Sequence, residues 1–117
     1  MPVYHEAITK QAVSKSAAEV ILPPRDLDTR PRRVLTFSNA GGSGKLALAD
    51  AKVQHGPTAS GPWIDEDLSG SGIPTLAAGS NAVYRMDRAD RWVRVLAQGG
   101  AGEGQSDLTV YLDAYGA

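Results

Sequence analysis

Residues 80–98, "SNAVYRMDRADRWVRVLAQ", carry the clearest fold signal in the chain. "SNAVYRMD" reads as a strand, "RAD" as a tight turn and "RWVRVLAQ" as a second strand, with Val93, Val95 and Ala97 on one face and Trp92, Arg94 and Leu96 on the other. Apolar residues at every second position are the mark of a strand with one buried face. Asp87, Arg88, Asp90 and Arg91 fit the polar turn of a hairpin. The same alternation returns in "SDLTVYLDAYG", where Leu108, Val110 and Leu112 stand against Thr109, Tyr111 and Asp113.

Working back towards the N-terminus, "RRVLTFSNA" (32–40) is a strand rich in Val, Leu, Thr and Phe. "KLALADAKVQHG" (45–56) is another, whose apolar positions change parity and imply a bulge near Asp50. "PTASG" is a turn, and "PWIDEDL" returns from it with Trp63 and Ile64. "AAEVIL" (17–22) reads as a strand ended by Pro23-Pro24, because proline has no ladder donor. "RDLDTRPR" is then a loop. Residues 1–15 read as an arm in which Ala7, Ile8, Gln11 and Ala12 have the spacing of a short helix.

Thirteen glycines and seven prolines punctuate the chain too often for long helices. Short strands separated by turn signals predict an all-β fold: one antiparallel β-sandwich, jelly-roll-like or immunoglobulin-like, over residues 16–117, with an extended N-terminal arm over 1–15. At 117 residues the chain suits a single core.

Composition narrows the function classes. There is no cysteine, so disulfides, thiolate metal sites and cysteine nucleophiles are excluded. The formal net charge is -1, with neither half strongly basic, which argues against a nucleic-acid partner. No apolar run is long enough for a membrane-crossing helix, and the N-terminus lacks the order of a secretory signal.

"NAGGSGKLAL" (39–48) imitates a phosphate-binding loop, but Asn39 stands where the leading glycine belongs and Leu46 where Ser or Thr must hold magnesium. A strand follows it instead of the helix such a loop requires. It reads as a turn. His5 and His55 lack partners at metal-ligand spacing and read as polar side chains at a strand edge. Asp65-Glu66-Asp67 reads as a solvated strand end. No nucleophile–base pair is nameable, so the expectation is a non-enzymatic protein with no catalytic residue, cofactor or metal.

The aromatic residues point elsewhere. If Val93, Val95, Leu108, Val110 and Leu112 form the core, Trp92, Arg94 and Tyr111 face outward. Outward aromatics beside arginine are what protein interfaces favour. The candidate interface residues are Tyr4, His5, Arg25, Arg30, Arg32, Trp63, Trp92, Arg94 and Tyr111. The arm and the loop from Pro23 to Pro31 supply the first five, or flank them.

The succession Val53-Gln54-His55, Trp63, Arg91 to Val95 and Thr109 to Leu112 resembles small bacteriophage virion proteins with a β-sandwich or jelly-roll fold, among them capsid decoration or cement proteins. The resemblance covers residues 50 to about 115. It implies a structural protein on the capsid exterior, made in the host cytoplasm, that binds the major capsid protein and stabilises the shell, as a dimer or trimer. A carbohydrate-binding or host-attachment module using Trp63 and Trp92, and a tail or neck structural protein, are the alternatives.

Overall fold

The computed structural model describes residues 4–11, 13–14, 16–28, 30–39, 52–69, 71, 73, 76–77, 79–87, 90–99 and 106–116. Among them eight strands follow in order: β1 Tyr4–Lys10, β2 Glu19–Asp26, β3 Arg32–Asn39, β4 Lys52–Gly56, β5 Ile64–Asp65, β6 Ser80–Asp87, β7 Trp92–Ala97 and β8 Leu108–Tyr115. The bulge expected near Asp50 and most of the 39–48 turn lie outside the described residues.

The strands form two four-stranded antiparallel sheets, ordered β1-β8-β3-β6 and β2-β7-β4-β5. The pairings β1–β8, β2–β7, β3–β6 and β4–β5 join first strand to last, second to second-last, and so inward. This is a long hairpin rolled over itself until β8 meets β3 and β7 meets β4. The β-sandwich is therefore a jelly roll, and the immunoglobulin-like alternative is set aside.

Three local expectations give way to this topology. First, β6 and β7 are not a hairpin. They lie in different sheets. The strands and the break are local features, whereas their partners are chosen by burial of the inner faces.

Second, Tyr4–Lys10 of the N-terminal arm is extended and bonded along its whole length to β8, from Tyr4 opposite Ala114 to Lys10 opposite Leu108. Helical spacing of four residues is weak beside a seven-residue ladder. Third, Pro23 and Pro24 do not end β2, which continues to Asp26. β2 is an edge strand with register shifts between Val20 and Leu22 and between Leu22 and Arg25. Edges and bulges are where a sheet tolerates proline.

Alternation fills the space between the sheets. Leu35 and Phe37 of β3 and Leu108, Val110 and Leu112 of β8 point inward from one sheet. Val53 of β4 and Val93 and Val95 of β7 meet them from the other, and Leu22, Leu27 and Ile73 belong to the same buried core.

Candidate functional site

The outer face of the β2-β7-β4-β5 sheet gathers three of the nine candidates. Trp92, Arg94 and Leu96 alternate with the buried Val93, Val95 and Ala97, so they stand outward as the sequence places them. Across the ladder Trp92 is opposite Gly56, and Arg94 opposite Gln54. Trp63 folds back over β4 at Gly56. A Cβ at Gly56 would meet the Pro62 carbonyl oxygen at 2.8 Å and Trp63 Cε3 at 3.3 Å, so glycine is what lets the Pro62–Trp63 backbone lie this close to β4.

The Arg94 guanidinium lies 4.4 Å from the Trp63 ring centroid, within cation–π range. Arg94 Nε donates to Gln54 Oε1 at 2.7 Å, and Gln54 Nε2 donates to Asp65 Oδ1 at 2.6 Å. Lys52 Nζ stands 3.6 Å from Asp65 Oδ2. The result is an aromatic platform of Trp63 and Trp92, with Arg94 held in one orientation by the chain of polar contacts beside it.

Tyr111 and His5 are on the opposite outer face, that of the β1-β8-β3-β6 sheet. Tyr111 lies opposite Ala7 and Thr36, and His5 opposite Asp113, whose carboxylate its Nδ1 contacts. Tyr4 and Arg25 close the seam between edge strands β1 and β2. Arg25 donates to both Glu6 carboxylate oxygens, at 2.7 and 2.8 Å, and the Tyr4 hydroxyl donates to Glu6 Oε1 at 2.6 Å. The Arg25 hydrogen bonds are the main reason the Glu6 carboxyl lies below its usual range. Burial, then the Glu6 hydrogen bond, pushes the Tyr4 phenol up. Arg30 is half-buried in the loop after β2, where its carbonyl accepts from Arg33 Nε at 2.9 Å. Arg32 is exposed, opposite Asp87 and Tyr115. The candidates thus fall on two faces, a seam and a loop.

A group the sequence reading did not single out lies between the sheets. Arg33 of β3 is 1% exposed, on the inner face with Leu35 and Phe37. Its Nη2 contacts the Asp90 carbonyl, and its Nη1 is buried without a hydrogen bond. Burial is the chief cause that lowers its guanidinium below the usual range, opposed by the charges of Asp90 and Glu66.

His55 is not at a strand edge as expected. It points inward, with Nε2 3.1 Å from Glu66 Oε2 and Nδ1 against the Asp90 carboxylate. Glu66, the middle residue of the expected solvated acidic end, is buried and accepts from the Tyr84 hydroxyl at 2.7 Å. Asp65 and Asp67 on either side of it are exposed. Parity was the available signal, since Arg33 shares the face of Leu35 and Phe37, and His55 that of Val53.

The two carboxylates sit at opposite ring nitrogens of His55, so they do not converge on one point. Among the described residues no group of three or more His, Cys, Asp or Glu side chains is placed to hold a metal. No helix among them is long and apolar enough to cross a membrane.

No family model and no curated protein matches the sequence. Similar solved structures include a protein from Bacillus endospore appendages, described as disulfide-linked pili, at TM-score 0.43 and 10% identity over 98% of this chain and 89% of that one. A protein of infectious bursal disease virus, Gx strain, gives 0.45 and 11% over 99% of this chain and 32% of the other. IMPa from Pseudomonas aeruginosa, in complex with an O-glycopeptide, gives 0.43 and 13% over 100% and 13%. The chain spans about a third of the viral protein and about an eighth of IMPa. Likeness this remote adds nothing to the strand order itself.

Proposed function

We propose that this chain is a non-enzymatic structural protein of a bacteriophage virion. In this reading it is a decoration protein that docks on the outside of the capsid shell and binds major capsid protein subunits. The observation that carries the proposal is the Trp63–Arg94 stack beside Trp92 on one open sheet face. Tryptophan and arginine are the residue types that dominate binding energy at protein interfaces. Here they are held in place before any partner arrives: Trp63 by the space over Gly56, and Arg94 by Gln54. Preorganised side chains lose less freedom on docking. The jelly roll suits the role as well, because its closed two-sheet wrap leaves broad outer faces for contact.

The test is co-sedimentation of the purified protein with undecorated shells. Saturable binding, a rise in shell melting temperature, and at least tenfold weaker binding of Trp92→Ala are expected. Protein left wholly in the supernatant refutes the proposal. Two tryptophans on one face also suit stacking on sugar rings, but the Arg94 guanidinium already occupies a face of Trp63. Glycan binding lost in Trp92→Ala, without shell binding, would favour that attachment role instead.

A further inference from the structure

The other sheet presents an outer face of a different character. Strand register lays it out as a grid across β1, β8, β3 and β6. One row is His5, Asp113, Val34 and Arg85; the next is Ala7, Tyr111, Thr36 and Val83; the third is Thr9, Thr109, Ser38 and Asn81. Tyr115, Arg32 and Asp87 extend it beyond the first row. All its carboxylate, imidazole and guanidinium groups therefore lie towards one end. The second and third rows carry none, and Val83 and Tyr111 there are 42% and 39% exposed.

We infer that this face binds the same face of a second copy of the chain, about a twofold axis parallel to the strands. That operation lays β1 over β6 of the partner and β8 over β3. In the uncharged second row the large side chains then meet small ones: Val83 meets Ala7, and Tyr111 meets Thr36. Tyr115 meets Arg32, Thr9 meets Asn81 and Thr109 meets Ser38. Arg85 arrives over His5, one strand spacing from the Asp113 carboxylate that His5 contacts. An axis across the strands through the second row sets Tyr111 on Tyr111 and Val83 on Val83, large against large. Self-complementarity of one patch is what a twofold contact requires.

The area sets the strength. Four strands about 4.8 Å apart and seven residues long, at about 3.3 Å each, cover roughly 440 Å². Two copies bury roughly 900 Å², below the range of stable interfaces, so the pairing is reversible and concentration-dependent. It uses the sheet opposite the Trp63 platform, so it stands or falls separately from shell docking.

Sedimentation equilibrium of the full chain from micromolar to millimolar concentration tests it. The mean mass is expected to climb towards twice the monomer. Ala7→Arg and Val83→Glu, both on exposed positions, each shift that rise at least tenfold higher in concentration, with unfolding midpoints confirming that both variants are folded. An equimolar mixture of the two variants recovers association, because the introduced opposite charges meet across the axis. A wild type that stays monomeric at millimolar concentration overturns the inference. So do single variants that associate like the wild type, or a mixture no better than its components.

Discussion

Replacing Gly56 by alanine tests how the Trp63 platform is built. The added Cβ would lie 2.8 Å from the Pro62 carbonyl oxygen, whereas ordinary contact begins at 3.4 Å. Backbone must therefore retreat by about 0.6 Å, and no flexible side-chain end is available to absorb the move. Overpacking of this kind costs about 1–3 kcal/mol. Trp63 Cε3, at 3.3 Å from the same point, moves with its segment and loosens from Arg94, a further ~0.5–1 kcal/mol for a partly exposed cation–π pair. The expected loss is about 1.5–4 kcal/mol in urea unfolding at pH 7, with altered tryptophan fluorescence and near-UV circular dichroism.

Gly79 is the control. Its φ is +78°, but nothing lies within 4 Å of an added Cβ, so Gly79→Ala costs only the left-handed backbone preference, about 1 kcal/mol, and leaves the tryptophan signals alone. A Gly56→Ala protein within 0.5 kcal/mol of wild type and with unchanged tryptophan spectra would refute the packing argument.

Two further outcomes follow from the charged contacts. Arg33→Met removes a buried cation from beside Asp90 and Glu66 and leaves the Arg30 and Asp90 carbonyls without their donor; about 2–4 kcal/mol should be lost at pH 7. Combining it with Glu66→Gln should cost less than the sum of the two single changes, as a double-mutant unfolding cycle would show. Arg25→Gln removes the main cause of the depressed Glu6 carboxyl. A depressed acid stabilises the fold above its unfolded value, 4.5, and that contribution fades as pH falls through the lower folded value. The gap between wild type and Arg25→Gln, about 1 kcal/mol at pH 7, should therefore narrow steadily below about pH 4.5 in acid-titrated urea melts.

Strand alternation was legible in the sequence because it depends on neighbours two residues apart. It placed Val93 and Val95 inward, Trp92 and Arg94 outward, and Leu108, Val110 and Leu112 against Tyr111. The same parity put Arg33 with Leu35 and Phe37, but a charge in that pattern is easily read as a strand end rather than a buried ion. Its charged neighbours come from two other segments, Asp90 before β7 and Glu66 after β5, and His55 of β4 contacts both of them. No spacing rule links residues 33, 55, 66 and 90.

What the sequence determined by itself was therefore local: an all-β chain, where most strands run, and which side of each is apolar. Tertiary structure alone decided that β6 and β7 part company, that β1 joins β8 at the opposite end of the chain, and that Trp63 comes to rest on Arg94. The physical reason is that a strand's own residues satisfy only half of its needs. Its hydrogen bonds and its apolar face are completed by whichever distant segments close the roll, and that choice is made by the whole chain at once.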